Sequence, residues 1–267
     1  ISSLSIAVAT IMLFPIYFKE RPGEKTMPWT NGKVSPDSKQ TQLKSWKQIF
    51  RSLYKVVRLK SSMVFAFGVF VVGLMFGLID TLLPIFSIQE LGWTNSYFSN
   101  VFSITTVVGG FLGMFIGGYL VDYFGKIRML SVYLFCITLL IAVFASLSNL
   151  WSNNIIIYTF ILSYYTLYTF LCIAVFASAM HLCWKTVAAT QFTLYMALSN
   201  MGRAAGAAML GVLKTNFSWE IVFLIIAIMP VIMVILIQLI NFKKHRVTVD
   251  SFLILNHTIV APQVIKD

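Results

Sequence analysis

The chain is built largely from apolar segments, each about as long as a helix that crosses a membrane. A helix needs about 20 residues to cross a hydrocarbon core of about 30 Å. Six such segments follow one another: residues 63–88, 96–121, 129–148, 155–180, 188–213 and 219–241. They do not alternate polar and apolar residues as barrel strands do, and a helix satisfies its own backbone in lipid. The sequence therefore predicts an all-α membrane protein, a helical bundle of six transmembrane helices.

The start of the chain adds a seventh apolar run, residues 1–18. It begins at Ile1 rather than at a methionine, and it lacks the basic leader and small-residue cleavage site of a signal peptide. We interpret this run as the truncated end of a preceding transmembrane helix, and the chain as a fragment or a processed product.

Composition and reactive side chains exclude several classes of protein. Hydrophobic residues make up 58% of the chain and charged residues only 11%, whereas an average soluble domain has about 25% charged residues. The three cysteines have no CxxC spacing, the three histidines have no HExxH spacing, and no Gly-rich phosphate loop occurs. We therefore predict that the protein is not an enzyme and binds no cofactor or metal.

The positive charge is concentrated on one side of the predicted membrane segments. Of the 20 basic residues, 18 lie in loop 19–62, the turn 122–128, the connection at Lys185 and the tail 242–267, whereas the opposite loops contain only Lys214. Basic residues accumulate in cytoplasmic loops. We therefore predict that the loop, the turn and the C-terminus are cytoplasmic and that the protein spans the inner (plasma) membrane. The net charge of +11 then reflects orientation, and we predict no nucleic-acid partner.

Loop 19–62 divides into a flexible first part, rich in Pro, Gly and charge, and an amphipathic second part over residues 41–60. One face of that second part is apolar, with Leu43, Trp46, Phe50, Leu53 and Val57. The other face is basic, with Lys44, Lys47, Arg51, Lys55 and Arg58. This pattern predicts a helix that lies on the inner surface of the lipid bilayer. A helix that binds a partner protein is the alternative.

A short polar island, "GGYLVDYFGKIRML", separates two of the apolar segments. Gly118 and Gly125 permit a sharp reversal of the chain, while Lys126 and Arg128 keep the turn on the predicted cytoplasmic side. The negative charge of Asp122 does not contribute to the orientation signal of the basic residues. We therefore interpret it as a carboxylate that accepts hydrogen bonds from a helix N-terminus or pairs with a basic side chain.

The island resembles the signature loop of the major facilitator superfamily. The matching residues are Gly118, Leu120, Asp122, Gly125 and Lys126, and the departures are Val121, Tyr123 and Ile127. The resemblance implies a secondary transporter with twelve helices in two halves, joined by a long cytoplasmic loop, that works by alternating access. The signature occurs once in each half and is weakened in the second, and these departures favour the second copy.

On that reading the chain divides into four parts. They are the end of the sixth helix (1–18), a cytoplasmic linker (19–62), helices seven to twelve (63–241) and a cytoplasmic tail (242–267). The partner implied is the N-terminal half of the same transporter, and Asp122 would stabilise one access state by contacting a helix end of that half.

Two segments narrow the resemblance. "ERPGEKTMPW" at 20–29 and "ATQFTLYMALSNMGR" at 189–203 are similar to the AmpG-type muropeptide permease and the related peptide–acetyl-coenzyme A transporter family. This resemblance implies a permease that imports a small polar solute, a muropeptide or another sugar linked to a peptide, by symport with protons. The end of the tail, 247–267, resembles no segment of the family, and we interpret it as disordered or foreign to it.

Two charged residues lie inside the apolar segments. Asp80 and Arg203 both fall somewhat past the middle of their segments and at similar depth. A lone charge there costs about 2.5–3.5 kcal/mol on insertion scales, so we expect the two to pair or to face water. A gating or proton-coupling pair is one interpretation, and an inert ion pair is the other.

Segment 155–180 is unusually rich in hydroxyl groups. Tyr164, Tyr165 and Tyr168 lie among Ser and Thr residues in "SYYTLYT". A helix beside a wet cavity can use such groups, and tyrosine rings can stack on sugars, so we predict that these three residues line a substrate cavity. Hydroxyl packing between helices is the alternative.

Glycines repeat every four residues in two segments, as Gly109, Gly113 and Gly117 and as Gly202 and Gly206. Such stripes let helices approach closely, and we predict that these glycines mediate helix packing inside the bundle. The family resemblance adds a second expectation, that the stripes are sliding interfaces with the other half.

The sequence leaves three further interpretations of function open. The chain could assemble as a homodimeric transporter, represent a truncated and inactive product, or act as a membrane scaffold without transport.

The charge distribution makes a prediction about orientation. In a variant without native cysteines, a single cysteine at Asn95 should react with an impermeant reagent in intact cells, because its loop is predicted to be external. A cysteine at Ser38 should not react, because 18 of the 20 basic residues place loop 19–62 inside. Labelling at 38 but not at 95 would reverse the orientation.

Overall fold

The computed structural model describes residues 45–260, with side chains described as far as residue 252. This part of the chain is helical, with no strand. The helices are α1 (Trp46–Val57), α2 (Lys60–Gln89), α3 (Asn95–Leu112), α4 (Gly118–Phe124), α5 (Lys126–Ser146), α6 (Asn154–Leu182), α7 (Ala188–Asn216), α8 (Trp219–Gln238) and α9 (Phe242–Val260). A π-helical turn, Gly113–Gly117, joins α3 to α4.

Five helical stretches in the described residues are long and apolar enough to cross a membrane. They are α2, the continuous stretch Asn95–Phe124, α5, α6 and α8. The prediction of an all-α membrane bundle is confirmed. Helix α7, the remaining predicted span, is as long as α6, with 29 residues, but has a more polar composition. It packs along α2, and its crossing of the membrane stays a prediction.

The helix boundaries near the start of the described residues differ from the sequence prediction. The amphipathic helix expected over 41–60 covers Trp46–Val57, and α2 begins at Lys60, inside the expected linker. Residues 1–44, which contain the predicted end of a preceding helix and most of the linker, lie outside the described residues.

Helices α2 and α7 cross in backbone contact. A Cβ atom added to Gly77 would lie 1.9 Å from the carbonyl oxygen of Arg203, and one on Gly206 would lie 2.2 Å from the carbonyl oxygen of Leu74. Backbone atoms cannot move aside as a flexible side chain can. The crossing therefore requires glycine on both helices.

The other glycine stripe packs against α6. A Cβ on Gly113 would lie 2.2 Å from Thr169 Cγ2, and Gly109 and Gly117 likewise face α6. The expectation that the two stripes form sliding interfaces with another half is wrong for these glycines, because helices of this chain already cover the faces where each Cβ would stand.

One aromatic cluster closes the end of the bundle where α2 and α5 finish. The ring of Phe86 makes edge contacts with those of Phe144, Trp151, Trp219 and Phe223, at centroid distances between 4.9 and 6.2 Å. Edge-to-face pairs at such distances stabilise a core beyond the apolar area they bury. The cluster therefore ties α2, α5 and α8 together.

The C-terminal helix α9 packs on the connection between α6 and α7. His245 is 5% exposed, and its Nε2 atom lies 2.9 Å from the carbonyl oxygen of Leu182. The ring of Trp184 contacts that of Phe252 at 5.6 Å, and the Trp184 backbone N–H donates to Gln191 Oε1 at 2.9 Å. The interpretation of the tail as disordered is therefore wrong as far as the end of α9.

The α2–α7 crossing predicts opposite effects for two alanine substitutions on α7. Gly206→Ala should destabilise the fold by about 1–3 kcal/mol, as overpacking does, because its Cβ would meet the Leu74 carbonyl. Gly211→Ala is the matched control, since nothing lies within 4 Å of its Cβ position, and alanine is the better helix former. Thermal unfolding in detergent measures both variants. Equal stability of the two variants would contradict the crossing.

The buried His245 predicts a pH-dependent attachment of α9. Burial lowers the pKa of His245 below its usual 6.5, although the hydrogen bond to Leu182 opposes the shift. An imidazole that is harder to protonate when docked favours docking above about pH 6.5, and this contribution is lost as the pH falls through the lowered pKa.

The rate of hydrogen exchange in α9, corrected for its intrinsic pH dependence, should therefore increase as the pH is lowered from about 7.5 to about 5. His245→Gln removes the titrating ring and should abolish the change. If the variant retained the full pH dependence, another group would control the attachment.

Candidate functional site

A cavity of about 460 Å³ lies between α2, α3, α6 and α7. This volume is within the range of small-molecule binding sites. Its lining combines two opposite charges, four aromatic rings, two of which belong to tyrosines, and two threonine hydroxyl groups. The residues are Asp80, Arg203, Phe98, Phe102, Tyr165, Tyr168, Thr106 and Thr169. The cavity therefore offers a solute an ionic contact, stacking surfaces and hydrogen bonds in one place.

The two charged residues of the predicted membrane segments lie beside each other in the lining of the cavity. Arg203 Nε lies 3.9 Å from Asp80 Oδ2, and the two side chains are 41% and 36% exposed. This distance allows electrostatic attraction but is too long for a hydrogen bond. The structure thus brings together the residues that the sequence analysis expected to pair, in a contact that a solute can enter.

Arg203 has a second and closer partner on α6. Its Nη2 atom donates a hydrogen bond of 2.6 Å to the hydroxyl of Tyr168, and its guanidinium carbon lies 5.5 Å from the ring centroid of Phe76. The Phe76 and Tyr168 rings contact each other edge to face at 4.5 Å. These contacts hold the guanidinium in place independently of Asp80.

The backbone crossing of α2 and α7 explains why the charges meet. Gly77 lies against the backbone of Arg203 itself, and Gly202 lies against the backbone of Phe70. Asp80 follows Gly77 by three residues, which is almost one helical turn. The close approach that glycine permits therefore brings Asp80 and Arg203 to the same side of the crossing.

Two of the three tyrosines that were predicted to line a cavity do so. Tyr165 and Tyr168 line the cavity, but Tyr164 does not, because its side chain is 0% exposed and packs against Phe160 at a centroid distance of 6.3 Å. Its hydroxyl has no hydrogen-bond partner among the described residues. A helix presents successive residues about 100° apart, so adjacent tyrosines need not face the same side.

Sequence reasoning missed the cavity residues of α3. Phe98, Phe102 and Thr106 recur every four residues, which places them on one helix face. Phe102 contacts Tyr165 edge to face at 5.1 Å. The spacing was visible in the sequence, but an apolar row inside a membrane segment gives no sign of whether it faces lipid, protein or a cavity.

The polar island forms a tight turn away from the cavity. Gly125 lies between α4 and α5 with a φ of 94°, a conformation that favours glycine, and Lys126 begins α5. Asp122 and Arg128 are exposed, and Asp122 forms no ion pair or side-chain hydrogen bond with residues 45–252, whose side chains are described. A Cβ on Gly118 would meet nothing within 4 Å. The turn itself accounts for Gly125 but not for Gly118 or Asp122.

Comparison with known proteins identifies the family. No curated protein and no solved structure matches the chain. The family model described as Major Facilitator Superfamily matches residues 1–207, which is more than half of the chain. Together with the apolar helices of the described part, this match shows that the chain belongs to the Major Facilitator Superfamily of membrane transporters.

Proposed function

We propose that the chain is the C-terminal half of a secondary active transporter that moves a small polar anion by alternating access, with protons. The observation that carries this proposal is the Asp80–Arg203 pair, 3.9 Å apart and partly exposed, in a cavity between membrane helices. Charged residues at membrane depth are costly and mark substrate or ion pathways. An inert ion pair would instead be expected to lie in hydrogen-bonded contact, shielded from a cavity.

The unequal contacts of the pair suggest how cargo and proton are coupled. Arg203 is held by Tyr168 at 2.6 Å, whereas Asp80 is more distant. A carboxylate on the solute can therefore replace Asp80 beside the guanidinium without displacing the guanidinium from Tyr168. Asp80 then loses its positive neighbour and gains a negative one, and both changes favour the protonated form of a carboxyl group. Binding of the anion would thus promote uptake of a proton.

The aromatic lining supports a cargo that carries a sugar ring. Phe98, Phe102, Tyr165 and Tyr168 provide faces for stacking. The Thr106 and Thr169 hydroxyls donate to backbone carbonyls of their own helices and can accept hydrogen bonds from the cargo. This set agrees with the resemblance at 20–29 and 189–203 to the muropeptide permease type. We therefore propose a sugar linked to a short peptide, which carries carboxylates, as the cargo.

The other half of the transporter is the proposed partner. Helices α3 and α4 with the turn between them present large apolar side chains outward, while their glycines face α6. Lipid or a second six-helix half can cover such a surface. In the proposed orientation the Gly125 turn and the C-terminus are cytoplasmic. The exposed Asp122 carboxylate could there accept hydrogen bonds from the end of a helix of the N-terminal half. A homodimer of this half, and a non-transporting scaffold or truncated product, are the competing proposals.

The transport proposal predicts different defects for the two charged residues. In the full-length protein, Asp80→Asn should still bind cargo but lose dependence of uptake on the pH gradient, because no carboxyl group remains to take a proton. Arg203→Ala should weaken cargo binding about 10-fold or more, since a hydrogen-bonded charge contact contributes about 1.5–3 kcal/mol. Uptake of labelled anhydromuropeptide into vesicles under an imposed pH gradient measures both effects.

Glu90→Gln is the matched control, because Glu90 is an exposed carboxylate just beyond the end of α2 and should leave uptake unchanged. Gradient-driven uptake by Asp80→Asn would reject the coupling mechanism but keep the cargo. Absence of uptake by the unmodified protein, with transport of another solute, would reject the cargo. Transport by this half expressed alone would favour the homodimer.

A further inference from the structure

Helix α1 carries an exposed row of aromatic side chains. Trp46, Phe50 and Tyr54 are 77%, 64% and 62% exposed, and their spacing of four places them along one side of the helix. The opposite side packs inward, and Val56 on it is 0% exposed. Three large aromatic side chains in one row form an apolar surface of the kind that marks a binding site.

Basic side chains flank this aromatic row. Three basic residues directly follow the three aromatic ones in the sequence: Lys47, Arg51 and Lys55. Arg58, three residues after Lys55, lies on the same side of the helix as these three. The guanidinium carbon of Arg58 lies 5.3 Å from the ring centroid of Tyr54. The chain contains no acidic residue between Asp37 and Asp80. The surface therefore suits a ligand with an apolar part, which contacts the aromatic row, and a negatively charged part, which contacts the basic side chains.

Chain continuity identifies which ligand lies within reach. Helix α1 ends at Val57, and α2, whose apolar length is sufficient to cross a membrane, begins at Lys60. The two residues between them span at most about 7 Å, and a 12-residue helix is only about 18 Å long. The end of α1 is thus held beside the start of a membrane helix, where the surface of the bilayer is within its reach.

We propose that α1 is a docking surface for anionic phospholipid: its aromatic row inserts among the lipid headgroups, and Lys47, Arg51, Lys55 and Arg58 bind their phosphates. Trp and Tyr favour this depth of the bilayer, and basic residues beside an amphipathic helix attract anionic lipid. The surface is separate from the transport cavity. Its occupation would hold the start of α2 at the membrane surface.

Collision accessibility of spin labels tests the proposal without any transport measurement. Single labels replace Phe50, Tyr54, Arg51 or Lys55 in a full-length variant without native cysteines, in nanodiscs of phosphatidylglycerol or of phosphatidylcholine. In phosphatidylglycerol, labels at 50 and 54 should collide mainly with dissolved oxygen, and labels at 51 and 55 mainly with an aqueous nickel chelate. The oxygen-to-nickel ratio at position 50 should fall several-fold in phosphatidylcholine or at high salt, because screening weakens the phosphate contacts.

Two charge-matched variants separate the surface from net charge. Replacing Lys47, Arg51, Lys55 and Arg58 with Gln should remove the lipid dependence at position 50. Replacing Arg128, Lys185, Lys243 and Lys244 with Gln removes the same charge from exposed sites elsewhere and should preserve it.

Three results would overturn the proposal. If labels at 50 and 54 stayed accessible to nickel in phosphatidylglycerol, the aromatic row would lie in water. If they were shielded from both reagents, protein would cover the row. If they inserted equally in both lipids, the basic side chains would bind no phosphate.

Discussion

The backbone contact between α2 and α7 determines the geometry of the rest of the described bundle. Helices in lipid associate mainly through close packing, because lipid tails are as apolar as the side chains they would replace. Gly73 and Gly77 on α2 face the α7 backbone, and Gly202 and Gly206 on α7 face the α2 backbone. A Cβ at any of the four would lie 1.9–2.2 Å from a carbonyl oxygen of the other helix. This contact lets a polar helix such as α7 stay against an apolar one, and it places Asp80 and Arg203 on the two walls of one cavity.

The ion pair in that cavity is asymmetric, and the asymmetry bears on function. Arg203 has a close hydroxyl partner in Tyr168 and an aromatic neighbour in Phe76, whereas Asp80 approaches Arg203 only at 3.9 Å. If the pair served stability alone, its own contact would be expected to be the shortest, since charge-assisted hydrogen bonds lie at about 2.7–2.9 Å. The geometry instead supports the proposed anion–proton coupling, in which the acid exchanges its partner while the base stays fixed.

Sequence patterns predicted the features that depend on local spacing and missed those that depend on distant contacts. Segment length and the absence of alternation predicted the membrane helices, and the rarity of charge in them singled out Asp80 and Arg203. Tyr164 was misplaced because composition does not tell which side of a helix faces a cavity. The docking of α9 could not be predicted, because it joins His245 to Leu182, 63 residues earlier, and involves a buried polar network. Gly73 and Gly77 repeat every four residues like the other stripes, but a stripe alone does not identify its partner helix.

A proline inside α2 bears on how this helix could change its conformation. Pro84 lies inside α2, four residues after Asp80. A proline has no N–H group, so the carbonyl of Asp80 lacks the hydrogen bond that the next turn would supply, and helices bend at such points. On one side of Asp80 the glycine contact at Gly77 fixes α2 to α7, and on the other side the helix is weakened. In the proposed cycle, α2 can therefore bend near Pro84 when the solute separates the carboxylate from Arg203. Because Phe86 ties the part of α2 beyond Pro84 to α5 and α8, that part would move together with those two helices, while the crossing that defines the cavity stays intact.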